Sequence, residues 1–300
     1  WNSAEPALGT HTPSGTKVRV RYLSVPTYWE VQAPAVSSSA VAFSGETRQR
    51  GALHVPIYLT SIRRWSPLHL LNSPADFVYS MALSDEWLVW VGMTDGKMGY
   101  NGQWELYAYD LKTGRRYTID GWRRRGLTPA GFDPPHVSVS GSTVAWSYVD
   151  CTAHCRPSRH PPRVRSAILV KALPFGRQRI LRRLLSTCEQ IVALPSISGH
   201  IVVWDQGGED WCACRVLQCK ARIRGAIALD SLATGKQRIV TRSDGAFDPV
   251  TNGRYVAWEQ WPAGVTRSDY GAIILLNLRT GHKDGGEPKT AMAKRIGLLC

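Results

Sequence analysis

Ser140-Gly141-Ser142-Thr143-Val144-Ala145-Trp146 is one copy of a phrase that occurs five times in this 300-residue chain. Its apolar part, ending in an aromatic, reads Val41-Ala42-Phe43, Leu88-Val89-Trp90, Val144-Ala145-Trp146, Val202-Val203-Trp204 and Val256-Ala257-Trp258. Successive aromatics lie 47, 56, 58 and 54 residues apart. A period near fifty marks one supersecondary unit repeated, each copy needing a neighbour to bury its faces.

Within a unit the period is that of a strand. Val144, Trp146 and Tyr148 fall on one side, Ala145 and Ser147 on the other. A short alternating run precedes the phrase, at 136–141, 195–199 and 249–253. A third strand follows a longer polar loop, at 106–109, 168–170, 227–229 and 273–276. Thr113-Gly114, Thr234-Gly235 and Thr280-Gly281 then form turns, with Gly176 in the equivalent place of the third unit. Glycine there supplies the positive φ of a tight hairpin. Fourth strands leave these turns at 115–119, 177–181 and 236–240.

Four antiparallel strands repeated radially describe a β-propeller. The expected fold is all-β, with five four-stranded blades at about 33–76, 77–133, 134–190, 191–247 and 248–281. Phe43, Trp90, Trp146, Trp204 and Trp258 are its expected inter-blade core. The polar, glycine-rich stretch 282–288 is poor strand material. The last blade is therefore expected to be completed by the alternating run Lys17-Val18-Arg19-Val20-Arg21-Tyr22, which follows a polar arm at 1–15. Residues 282–300 are left as a tail. The same strand given to another molecule would build a polymer.

The stretches SGSTVAW…AILVKALPFG (140–176), SISGHIVVW…AIALDSLATGKQRIV (196–240) and TNGRYVAW…AIILLNLRTG (251–281) resemble the blade repeats of TolB-like propeller proteins. The resemblance covers roughly residues 30 to 281. It implies an extracytoplasmic binding or scaffolding platform, on a frame that some relatives use for catalysis. Five blades is one fewer than is usual in the type protein.

Seven cysteines are Cys151, Cys155, Cys188, Cys212, Cys214, Cys219 and Cys300. Five of them fall in two loops between second and third strands. Their spacings, C-x₃-C and C-x-C-x₄-C, match neither common zinc patterns nor haem attachment, even with His154 and His160 close by. Disulfides among the first six fit an oxidising, extracytoplasmic compartment. No cofactor and no metal is expected. No apolar run is long enough to span a membrane as a helix.

The formal charge is +14, largely from arginine. Such a surface attracts polyanions by long-range, salt-sensitive forces. Outside the cytoplasm an acidic glycan is the expected polyanion, ahead of nucleic acid. Arginines in surface ion pairs would equally account for the charge. The long loops on one face hold the binding candidates Tyr100, Arg156, Arg159, Trp211, Arg222, Trp261 and Tyr270. Planar rings interleaved with guanidinium groups suit sugar or protein contacts. Asp150, Asp205 and Glu259 follow the aromatic phrase and are the alternative acid and base of a glycoside hydrolase or polysaccharide lyase. No G-x-S-x-G, H-E-x-x-H or phosphate loop occurs. The expected function is a non-catalytic binding or structural scaffold that engages a protein partner or itself. The alternatives are a glycan-active enzyme and a polyanion-binding module.

Overall fold

The computed structural model describes residues 31–45, 47–49, 52–54, 56–62, 69–71, 73–75, 77–94, 103–123, 135–153, 163–187, 191–207, 225–243, 245–260 and 272–285. These form strands, and no helix, in five four-stranded antiparallel sheets arranged as a β-propeller.

The first blade holds β1 (Val31–Val36), β2 (Ala40–Gly45), β5 (Ile57–Ser61) and β6 (His69–Leu71); a side hairpin, β3 (Thr47–Gln49) with β4 (Ala52–His54), interrupts it. The second runs β7 (Phe77–Leu83), β8 (Trp87–Thr94), β9 (Gln103–Asp110), β10 (Arg116–Arg123). The third is β11 (Val137–Ser140), β12 (Thr143–Ala153), β13 (Arg163–Ala172), β14 (Arg179–Thr187). The fourth is β15 (Ile191–Ser198), β16 (Ile201–Gly207), β17 (Ala226–Ser231), β18 (Lys236–Arg242). The fifth is β19 (Ala246–Thr251), β20 (Tyr255–Gln260), β21 (Ala272–Asn277), β22 (Lys283–Asp284).

The repeated phrase is the second strand of every blade, and its aromatics are buried as expected. Trp90 belongs to the apolar cluster between the first and second blades, Trp146 to that between the second and third. Trp204 and Trp258 do the same for the third–fourth and fourth–fifth pairs. Both faces of an interior blade are covered. Val144 and Trp146 pack backward, whereas Ala145, Ile168 and Val170 pack forward. Phe43 stacks on Tyr58 with ring centroids 5.3 Å apart.

Serine hydroxyls tie successive innermost strands together. The backbone N–H of Val137 donates to Ser80 Oγ (3.0 Å), that of Ile197 to Ser138 Oγ (3.1 Å) and that of Thr251 to Ser196 Oγ (3.1 Å). Each bond caps an N–H that faces the neighbouring blade and not a ladder partner, a group that would be costly to bury unpaired.

Between the first two blades hydroxyls meet a carboxylate. Ser38 and Ser39 hydroxyls donate to the two carboxylate oxygens of Asp85, at 2.6 and 2.8 Å. The hydroxyls of Ser38, Ser39 and Ser37 hold this carboxyl at about 2, down from 3.8. A depressed carboxyl pKa adds stability that is present above the unfolded value and lost as pH falls through the folded one. The stability of the chain should therefore decline between pH 4 and about 2, and Asp85→Asn should make that decline shallower in acid-denaturation curves.

Two turn expectations are refined. Gly114, Gly235 and Gly281 adopt φ of 69°, 65° and 71°. Gly176 is not among the left-handed glycines; it is required by close approach, since a Cβ there would lie 2.6 Å from the Ala172 carbonyl oxygen. The fourth place in the last blade is held by the chain's own β22. Lys283 pairs with Leu276 and Asp284 with Leu275, and the Lys283 ammonium sits 5.5 Å over the Trp258 ring, a favourable cation–π placement. The run 17–22 expected at that edge lies outside the described residues.

Candidate ligand-binding rim

Blades three and four put a single sign of charge on their outermost strands. Exposed positions of β14 include Arg179 and Arg183, with Arg177 in the turn before it; β18 exposes Lys236, Arg238 and Arg242. The two strands are adjacent, since Gln237 Nε2 donates to the Leu181 carbonyl at 2.6 Å. The carboxylates in the described residues of these two blades are Asp150, Asp205 and Asp230, and the last two are buried on inner strands. Arg182 Nε is buried and makes no hydrogen bond among the described residues.

Charged edge strands resist edge-to-edge pairing, but charges of either sign would serve that purpose. A field of one sign over two neighbouring strands does more, because it concentrates counter-charged ligands. Aliphatic side chains separate the cations: Ile180, Leu185 and Ile239 are all exposed. At the lower end of the third blade Phe175 is 84% exposed, its ring set edge-on to Tyr117 at 5.5 Å. An exposed phenyl beside Arg177 offers a flat apolar platform next to guanidinium donors. The acid on β10, the outer strand of the second blade, is Asp120, whose carboxyl burial pushes up, with the Gly121 N–H, the Trp146 indole and then Lys171 opposing.

The expected loop residues Tyr100, Arg156, Arg159, Trp211, Arg222, Trp261 and Tyr270 lie outside the described residues, as do Cys155, Cys188, Cys212, Cys214 and Cys219. Cys151 is placed on β12, opposite Val164. The alternative catalytic acids sit on the second strands of three different blades. Asp150 stands opposite Arg165; Asp205 is buried opposite Ala193 and Ile227; Glu259 lies opposite Phe247 and Ile273. Asp205 and Glu259 share a ladder position directly after the indole, and Asp150 is displaced from it along its strand. Among the described residues no three His, Cys, Asp or Glu side chains are grouped so as to hold a metal ion, nor is any helix long and apolar enough to cross a membrane. The rim was missed by reading loops first; the acid-free fourth strands were its signal.

The chain matches no protein-family model, and no curated protein is similar to it in sequence. Its fold is shared by solved structures. The acylaminoacyl peptidase of Pyrococcus horikoshii superposes with a TM-score of 0.57 at 8% identity, over 86% of this chain and 39% of its own. This chain thus spans well under half of that enzyme. The β-propeller domain of the trilobed protease from Pyrococcus furiosus, which has an open velcro topology, gives 0.57 at 7% identity over 89% of this chain and 73% of its own. The TolB structure from Agrobacterium tumefaciens gives 0.50 at 12%, covering 86% and 81%.

The likeness is one of fold: the chain is a β-propeller that resembles TolB at the level of fold. The expectation that the chain is not an enzyme is corrected here. Two of these three neighbours are a peptidase and a protease, so the frame is one that enzymes carry and gives no ground for excluding catalysis.

Proposed function

We propose that this chain is an extracytoplasmic ligand-binding β-propeller that takes an acidic glycan along the outer rim of its third and fourth blades. One observation carries the reading. Arg179, Arg183, Lys236, Arg238 and Arg242 are exposed on adjacent outer strands whose blades present no exposed carboxylate on those strands. Spaced cations with aliphatic side chains between them suit a carboxylated or sulfated sugar chain. Guanidinium groups pair with the anionic substituents, and Ile180, Leu185 and Phe175 meet the apolar faces of the rings. The extracytoplasmic part of the reading is supported by the clustered cysteines and by the TolB-like resemblance.

The test is binding of polygalacturonate and of heparin to the chain and to the triple variant Arg179→Glu, Arg183→Glu, Arg238→Glu. The expected result is affinity at least about tenfold weaker in the variant at ~0.1 M salt, with a flatter salt dependence. Phe175→Ala should weaken binding while leaving the salt slope unchanged. Equal binding by variant and parent removes the rim as the site. Equal affinity for a DNA duplex of matched charge means that charge alone is read and that glycan is the wrong class.

A further inference from the structure

Residues opposite one another in a ladder share a face of the sheet, so strand register assigns each charged side chain to one joint between blades. On β14, Arg179 is paired with Val170 and Arg182 with Ile168, and both partners belong to the apolar cluster between the third and fourth blades. Arg183 is paired with Ala167, which packs the other way, toward the second blade. On β18, Ile239 is paired with Ala228 of the third–fourth cluster. Arg242 is paired with Ala226, which lies two places before Ala228 and so on the same face. Arg238 is paired with Leu229, which packs toward the fifth blade. The cations of the rim therefore divide. Arg179 and Arg182 line one wall of a cleft between the two outer strands, and Arg242 with the exposed Ile239 lines the other. Arg183 and Arg238 lie outside it. Gln237 crosses the cleft to the Leu181 carbonyl, 2.6 Å away.

The preceding joint carries different charges at the same places. Asp120 is paired with Leu106, which stands opposite the residue after Trp90; Ile168, the partner of Arg182, stands opposite the residue after Trp146. Asp120 and Arg182 thus hold one ladder position. Asp120 looks toward the third blade, whose Lys171 donates to the neighbouring Ile119 carbonyl at 3.3 Å. Between the second and third blades an acid, Asp120, faces a base, Arg183. Between the third and fourth, Arg182 and Arg242 are both bases. The carboxylate turned to this joint is Asp230, opposite Gln237 and only 3% exposed. Its Oδ1 and the Arg182 Nε are both buried without a hydrogen bond among the described residues, so neither satisfies the other.

We propose that this cleft seats the anionic sugar chain, and that Arg182 reads one of its carboxylates through the Nε–H and Nη–H edge, with Arg242 as the opposing cation. The inference rests on the acidic-glycan reading and narrows it to one groove and one specificity-determining residue. An N–H held in a half-buried side chain without an acceptor is costly, and a carboxylate removes that cost. The planar guanidinium fork matches two carboxylate oxygens. Two bases facing each other repel, and an anion between them turns the repulsion into attraction. Ile239, 37% exposed, supplies an apolar contact beside them.

Calorimetric titration of the intact chain with polygalacturonate separates the cleft from the outer faces at equal charge. Arg182→Gln with Arg242→Gln should weaken binding at least about tenfold. Arg183→Gln with Arg238→Gln removes the same charge and should weaken it only about threefold. Arg182→Lys keeps the charge and loses the fork; it should still bind about tenfold more weakly, with the salt dependence of the parent. Equal losses in the two double variants overturn the cleft and leave the rim as a diffuse field. No loss in either overturns the cleft and the rim together. Parent-like affinity of Arg182→Lys overturns the reading of a carboxylate by that residue.

Discussion

Replacing Trp204 by alanine should remove about 3–5 kcal/mol of folding stability, the range for deleting a large aromatic from a packed core. Trp204 is 1% exposed and sits among Ile168, Val170, Ile197 and Val202 at the joint of the third and fourth blades. Two sheets meet on that indole, and neither can close the void, because each is held on its other face by a further blade. The companion variant Trp204→Phe should cost clearly less than Trp204→Ala, because the phenyl refills part of the space and leaves a smaller cavity. The indole N–H makes no hydrogen bond among the described residues, so exchange for a phenyl forfeits no polar partner there; the first blade already uses Phe43 at this position. Denaturant titration at unchanged m-value measures both. A loss under about 1 kcal/mol for Trp204→Ala would sink the account of the indoles as wedges.

Gly92→Ala should also be strongly damaging, at about 1–3 kcal/mol or more. On β8, a Cβ at this position would lie 2.3 Å from Ala75 Cβ and 3.0 Å from the Phe77 carbonyl oxygen. Neither neighbour is the far end of a flexible side chain, so backbone must move in the second blade. The remedy is as informative as the damage. Ala75→Gly in the same chain removes the nearer clash, and the double variant should recover most of the loss. A coupling energy of 1 kcal/mol or more between adjacent sites is the expected reading; simple additivity would show that the collision is relieved some other way.

Much of the architecture was legible because burial demands repeat with the blade. Val144, Trp146, Ile168 and Val170 meet a neighbour on both faces, so their positions are apolar in every unit, and a fifty-residue period survives insertions in loops. What could not be read was whatever depends on one neighbour only. The last blade looked unfinished from its glycines, yet two residues of β22 suffice to pair Leu275 and Leu276, with Lys283 resting on Trp258. Gly176 looked like its three counterparts, but proximity to Ala172 is what excludes a side chain there. The candidate site was harder still. Arginine runs are visible in the sequence, whereas their presentation on two adjoining outer strands, with Asp205 and Asp230 turned inward and buried, is a tertiary fact. Conversely, Asp150, Asp205 and Glu259 looked alike as acids just past an aromatic, and the ladder keeps Asp205 and Glu259 at one position, each opposite an isoleucine, but sets Asp150 apart, opposite Arg165.

The serine bonds between innermost strands all point one way: a hydroxyl on one blade receives the N–H of the blade after it. A copy inserted between the third and fourth would find an acceptor behind it and a donor ahead, so the array can lengthen from its middle by gene duplication without orphaning a group. Val250 cannot extend that sequence of donors and acceptors. Ala35 stands at the position of Val250 in the first blade, where Asp85 makes the joint instead, so a blade can follow without the hydroxyl when another polar link replaces it.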